Sequence, residues 1–115
     1  MSHENYKSCI EACQACVLEC EHCVTACLGE ADVKMMERCI QLDRDCAALC
    51  SLAIAAMSRG SEFARQICGL CAEICQACGD ECAKHAHMEH CKICSAACLR
   101  CADECRKIAN KAKAA

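Results

Sequence analysis

The spacing of the cysteines constrains this chain more than any other feature of its sequence. Near its start, alternating gaps of four and three residues separate six cysteines: Cys9, Cys13, Cys16, Cys20, Cys23 and Cys27. On a helix this alternation places side chains on one face, at the positions that point inward in a packed bundle. We therefore expect a helix with a buried stripe of sulfur.

The same pattern recurs farther along the chain. Two more stripes contain five cysteines each: Cys68, Cys71, Cys75, Cys78 and Cys82, and then Cys91, Cys94, Cys98, Cys101 and Cys105. A shorter stripe contains Cys39, Cys46 and Cys50. Because all 19 cysteines belong to one of the four stripes, the sequence predicts four helices that direct thiols into a common core.

The remaining composition also favours helices. The chain has no proline and only four glycines, and it is rich in alanine, glutamate, lysine and leucine. Its length of 115 residues suits a single domain, which we expect to cover residues 1–115. Free cysteine behaves as a small hydrophobe and can fill a core that has few aromatic residues. The predicted fold class is all-α, an antiparallel up-down-up-down four-helix bundle with a cysteine-lined core.

Turn signals give approximate helix boundaries. The predicted helices cover residues 4–28, 32–57, 61–85 and 88–109. Gly29 ends the first helix, and Ser2 or His3 lies near its N-cap. Gly60 ends the second helix and Ser61 caps the third. The last turn has no glycine or proline. We expect it at residues 85–87 because the gap of nine residues between Cys82 and Cys91 interrupts the alternation of three- and four-residue gaps.

Charge and hydropathy exclude several classes of partner. The net charge of −3 is small, and interspersed charges argue against nucleic acid or an anionic membrane as a partner. The basic end from Arg106 to Lys113 is interpreted as a solvated helix terminus. We recognise no signal peptide and no apolar segment near the roughly 18 residues that span a membrane. We therefore expect a cytoplasmic protein, whose thiols stay free in a reducing compartment.

Thiols three or four residues apart on a helix can bind the same metal ion. Soft thiolates select Cu(I), with zinc and iron–sulfur clusters as competitors. About one Cu(I) per thiolate leaves a neutral core, whereas zinc bound by four thiolates would strand roughly nine negative charges in this chain. The stripes therefore favour multiple Cu(I) ions per chain, bound by the cysteines.

Other metal ligands extend the stripes at one end of the predicted bundle. His85 follows the last cysteine of helix 3 and His87 precedes the first cysteine of helix 4, while Met36 extends helix 2 and His90 lies nearby. Imidazole and thioether are weaker, exchangeable copper ligands. We call this the His/Met end and expect it to admit copper, although solvated turn histidines are the alternative.

The opposite end and one interior position differ from this pattern. At the opposite end, called the apolar end, the stripes continue into Tyr6, Met57, Ala64 and Ile108, and we expect a closed plug. Asp43 occupies an inward position of helix 2 where a cysteine is expected. It either supplements a metal site or escapes the core through rotation of the helix.

The stripes resemble those of the copper storage proteins, cysteine-rich four-helix bundles that hold Cu(I) through core thiols. The resemblance implies the cytosolic branch of that family, whose members form homotetramers and carry histidines at the open end of the bundle. By this resemblance His85, His87 and His90 correspond to the histidines that admit copper. Apolar residues outside the cysteine stripes could form the tetramer interface: Phe63, Leu70, Ile93 and Leu99.

The expected function is therefore storage and detoxification of Cu(I), loaded through the His/Met end. Two alternatives stay open, a buffer for zinc or other soft metals and a helical interaction protein whose thiols are incidental. We do not expect an enzyme, because no isolated cysteine with a histidine partner stands apart from the stripes.

Overall fold

The chain folds into four α-helices joined by short turns, as predicted. The computed structural model describes residues 3–111, with the side chains of residues 5–111. The helices are α1 (Lys7–Leu28), α2 (Glu37–Ser58), α3 (Ala64–Ala83) and α4 (Glu89–Ala109). Within the described residues there is no strand, and none of these helices is sufficiently long and apolar to span a bilayer.

Contacts between the helices define an antiparallel bundle. Each helix packs against the next one in the chain, and α1 also packs against α4. The thiol of Cys9, near the start of α1, lies 3.6 Å from that of Cys105, near the end of α4. In the same way Cys39, near the start of α2, contacts Cys82, near the end of α3. The predicted up-down-up-down order is therefore confirmed.

Three helices begin later than the sequence predicts, since α1 begins at Lys7, α2 at Glu37 and α3 at Ala64 rather than at residues 4, 32 and 61. A 3-10 turn, His3–Tyr6, precedes α1, and a second one, Val33–Met36, precedes α2. Each turn is tighter than an α-helix, so the α-helical ladder starts only after it. The proposed caps at Ser2 and at the side chain of His3 lie outside the described residues, as does Lys113.

The turn between α2 and α3 uses Gly60 as predicted. Its φ of 65° is the only positive value reported for the described residues, and glycine adopts this conformation without steric cost. The Ser61 amide donates to the Ala56 carbonyl and the Gly60 amide donates to Met57, which is the Schellman arrangement that ends a helix. The Ser61 hydroxyl accepts a hydrogen bond from the Phe63 amide. The N-cap of α3 is Phe63, without a side-chain cap, rather than the predicted Ser61.

The core between the four helices consists mainly of sulfur. All 19 cysteines are buried and free. Asp43 and Ala53 on α2 are buried too, as is Met36 in the 3-10 turn before α2. Tyr6, Met57, Ala64 and Ile108 are buried at the apolar end. Cysteine and alanine therefore supply much of the buried volume, and only the ends of the bundle carry larger side chains.

Helices α3 and α4 approach each other closely at Gly79. The Ser95 hydroxyl donates a 2.8 Å hydrogen bond to the Gly79 carbonyl. A Cβ atom at Gly79 would lie only 2.7 Å from Cδ2 and 2.8 Å from Cγ of Leu99. At Gly69, on the same helix, a Cβ atom would meet its nearest neighbour at an ordinary 3.6 Å.

We expect Gly79→Ala to destabilise the apo protein and Gly69→Ala to stabilise it. Overpacking against Leu99 costs about 1–3 kcal/mol, while both variants gain up to about 1 kcal/mol of helix propensity. Urea unfolding under reducing conditions measures both free energies. Equal stability of the two variants would contradict the close approach at Gly79.

Candidate metal centre

The thiols form a continuous network along the axis of the bundle. Neighbouring sulfur atoms from different helices lie 3.3 to 4.0 Å apart. The sulfur of Cys46 on α2, for example, lies 3.3 Å from that of Cys75 on α3 and 3.4 Å from that of Cys16 on α1. The helical spacing brings sulfurs of one stripe together, and bundle packing adds sulfurs from the facing stripes.

Many of these sulfurs form groups that could bind one metal ion. In each group the four potential ligand atoms lie within 4.8 Å of one another. Successive all-cysteine groups are Cys13, Cys71, Cys101 and Cys105; Cys16, Cys46, Cys50 and Cys75; Cys16, Cys20, Cys46 and Cys98; and Cys20, Cys78, Cys94 and Cys98. Several cysteines belong to two groups, so the sites adjoin and could share bridging sulfurs.

Asp43 faces the thiols, which resolves the alternative left open by its position in the sequence. It is fully buried, and its Oδ1 atom accepts hydrogen bonds from the thiols of Cys78 at 3.0 Å and Cys94 at 3.3 Å. Burial raises the pKa of Asp43 to about 8. The core therefore contains one carboxyl oxygen donor among its sulfurs, and it is protonated at neutral pH.

His90 is the histidine that meets the thiol core. Its side chain is 12% exposed, and its Nδ1 atom lies 3.5 Å from the sulfur of Cys91. The same nitrogen lies 3.7 Å from Cys23 and 3.8 Å from Cys27. These four residues form a mixed group of three sulfurs and one nitrogen at the His/Met end.

The other ligands predicted at the His/Met end have different surroundings. Met36 is fully buried in the core, His85 is buried and His87 is exposed. The Nε2 atom of His85 lies 3.0 Å from Oε2 of Glu81. Within the described residues no hydrogen bond joins His85 or His87 to a thiol, so their role in admitting copper stays a prediction.

Two glutamates were missed by the sequence analysis. Glu81 is buried on α3 and binds His85, Arg38 and Lys84. Although burial raises its pKa, the hydrogen bonds from His85 and Lys84 hold the pKa of Glu81 below its usual range. Glu30 binds the Nε2 atom of His90 at 3.0 Å. Because residues four apart on a helix are neighbours, the spacing of Glu81 and His85 could have predicted their contact. Nothing in the sequence predicts the contact between Glu30 and His90.

Cys27 and Cys91, at the His/Met end, are protonated in the absence of metal. Burial raises the pKa of Cys91 to about 11 and holds the pKa of Cys27 well above its usual range. Removing a proton without adding a cation would leave an isolated negative charge away from water. The arrangement therefore suits a soft monovalent cation that replaces each proton without changing the charge.

Comparison with known proteins assigns a family to this arrangement. Residues 2–110 match the Csp family, described as copper storage protein. The chain belongs to the copper storage protein family. The predicted resemblance and the helical bundle are thus confirmed, and the buried sulfur stripes are the feature from which the resemblance was inferred.

Relatives of this copper storage protein share both its sequence and its fold. The Cu(I)-bound protein BsCsp3, from Bacillus subtilis, is 50% identical with a TM-score of 0.85, and the match covers 90% of this chain and 96% of that one. A cytosolic copper storage protein from Streptomyces lividans, with five coppers, is 39% identical with a TM-score of 0.90, covering 96% of both chains. The cysteine-rich protein YhjQ of Bacillus subtilis is 50% identical over 81 residues, 70% of this chain and 75% of that protein.

We expect Asp43 to make the stability of the apo copper storage protein depend on pH. Its pKa of about 8 in the folded state exceeds the ordinary aspartate value of 3.8, so the folded state holds the proton more tightly. The contribution of Asp43 to stability is complete below about pH 4 and is lost as pH rises to about 8, by at most about 1.4 kcal/mol per unit.

Urea unfolding of the wild type and of Asp43→Asn between pH 5 and 8 tests this dependence. The difference in unfolding free energy between the two proteins removes the contribution of the titrating groups that both of them contain. We expect the wild type to lose stability relative to Asp43→Asn as pH rises. Parallel profiles would contradict the burial of an ionisable Asp43.

Proposed function

We propose that this copper storage protein stores and detoxifies Cu(I) by binding many ions to the thiols inside the bundle. One observation carries the proposal: sulfurs from all four helices converge into adjoining four-ligand groups along the core. Soft thiolate ligands favour Cu(I). The role is storage rather than catalysis, and the chain is not an enzyme.

Charge balance supports Cu(I) rather than zinc as the stored ion. Each Cu(I) that binds a thiol releases one proton, so the net charge of the site stays the same. Zinc bound by four thiolates would add two negative charges per site to a core that has no water-exposed sulfur. Adjoining groups that share cysteines also suit ions of low coordination number better than separate tetrahedral sites.

The proposed ligands extend beyond the 19 cysteines. Asp43 contributes an oxygen inside the core, and His90 contributes Nδ1 where it meets three thiols. Met36, His85 and His87 complete the His/Met end, through which we propose that copper is loaded. The buried side chains of Tyr6 and Met57 close the apolar end, which supports loading from one end only.

The relatives support a capacity of several ions and a cytoplasmic location. The Streptomyces lividans protein is described as cytosolic, and its structures contain five coppers and ten copper equivalents. We propose that the present chain likewise holds multiple Cu(I) ions in the cytoplasm.

We also propose that the protein is a homotetramer, as its resemblance to the cytosolic branch implies. Large apolar side chains on α3 and α4 and in the turn before α3 support self-association. Phe63 is 57% exposed, Leu70 49% and Ile93 43%. Leu99 is half-buried and packs near Gly79, so we now assign it a smaller part in the interface.

We expect anaerobic titration with Cu(I), against a competing chelator, to saturate at roughly one ion per cysteine, because each thiol can exchange its proton for copper. Native mass spectrometry of the loaded protein gives the copper count and the number of chains together. Saturation at only a few ions per chain would contradict storage. Retention of bound zinc against Cu(I) would support the zinc-buffer alternative instead.

We expect His90→Ala to slow the loading of Cu(I) while lowering the final capacity by about one ion at most, because His90 is a single exchangeable ligand at the His/Met end. Stopped-flow transfer from a Cu(I)–chelator complex measures the rate. His22→Ala is the matched control, since His22 is an exposed histidine of α1 that lies outside the His/Met ligand set and makes no hydrogen bond to a thiol among the described residues. Equal rates in both variants would contradict loading past His90.

A further inference from the structure

A carboxylate binds each of the two inward histidines at the His/Met end. His85 and Glu81 are four residues apart at the end of α3, and Glu81 also binds two cationic side chains. His90 and Glu30 come instead from different elements, the first turn of α4 and the turn after α1. Among the described residues, only the second pair includes an imidazole nitrogen within hydrogen-bond distance of thiols.

Hydrogen bonding determines which nitrogen of His90 carries the proton. A carboxylate can only accept, so the 3.0 Å contact with Oε2 of Glu30 requires Nε2 of His90 to donate. In the neutral ring the other nitrogen, Nδ1, then presents its lone pair. That lone pair faces the sulfurs of Cys23, Cys27 and Cys91.

Glu30 is itself held in place by the end of α1. Its backbone amide donates a 3.1 Å hydrogen bond to the carbonyl of Cys27. The thiol of Cys27 lies against Nδ1 of His90, while the carboxylate of Glu30 binds Nε2 of the same ring. One turn of the chain therefore provides both a sulfur ligand and the acceptor that orients the imidazole.

We propose that Glu30 is a positioning residue that fixes His90 in the Nε2–H tautomer, so that Nδ1 completes a three-sulfur, one-nitrogen Cu(I) site with Cys23, Cys27 and Cys91. The inference rests on the proposed function, because it specifies how one end of the copper store is built. A partner that binds the second nitrogen of a ligating histidine raises its basicity, and losing such a partner commonly weakens metal binding about 10- to 100-fold.

The geometry also explains why Glu30 acts on orientation without adding charge to the thiol core. Its side chain is 33% exposed, so water screens the carboxylate, and the imidazole ring separates it from the sulfurs. Glutamine at this position keeps an oxygen that accepts the Nε2 proton, whereas alanine removes the acceptor. Comparing the two substitutions therefore separates the effect of losing the hydrogen-bond acceptor from the effect of losing the negative charge.

Nitrogen NMR of the apo protein, labelled with 15N-histidine, reports the tautomer directly. We expect the wild type and Glu30→Gln to show His90 protonated at Nε2, and Glu30→Ala to show mixed tautomers. Glu81→Ala is the matched control, because it removes the carboxylate that binds His85 and should leave the His90 signals unchanged.

Chelator competition then measures the affinity for Cu(I) at the site that shifts the His90 Nδ1 signal. We expect Glu30→Ala to weaken it about 10-fold or more, and Glu30→Gln to restore most of the loss. Unchanged His90 signals and affinity in Glu30→Ala would overturn the inference, and so would equal losses in Glu30→Gln and Glu30→Ala. Failure of storage itself is distinct, because the wild type would then bind only a few ions.

Discussion

The packing of thiols against thiols is the interaction on which the structure depends. The side chains that form the hydrophobic core are also the metal ligands that we propose, so the bundle cannot lose one without losing the other. Without metal, buried thiols are protonated and neutral, which lets them pack as small hydrophobes. Copper then replaces protons in a core that is already assembled, and the charge inside the bundle does not change.

The small size of cysteine, alanine and glycine brings the helices close together. Sulfurs of adjacent helices therefore come within 3.3 to 4.0 Å of each other, and α3 and α4 come close enough at Gly79 for the Ser95 hydroxyl to bond to its backbone. The two ends differ because larger side chains close the apolar end, while the His/Met end has histidines held by carboxylates. This difference in chemistry gives the copper store a direction.

The sequence was sufficient to predict the helix count, the buried stripes and the turn at Gly60, because these depend on helical spacing and local backbone conformation. It placed the starts of α1, α2 and α3 too early, since helix ends are poorly defined by local sequence and 3-10 turns are frequent there. For Asp43 the stripe indicated an inward position. Only the packed bundle, in which Asp43 bonds to the thiols of α3 and α4, excluded a rotated helix.

What the sequence determined by itself is the face of each helix on which the sulfurs lie, because the spacing of three and four residues acts within one helix. Only the tertiary structure decided which sulfurs meet across helices and which histidine joins them. His85 and His90 look alike in the sequence, but only the Nδ1 of His90 faces thiols among the described residues. The physical reason is that a ligand set spans several helices, and its members, like Glu30 and His90, are brought together by packing rather than by spacing along the chain.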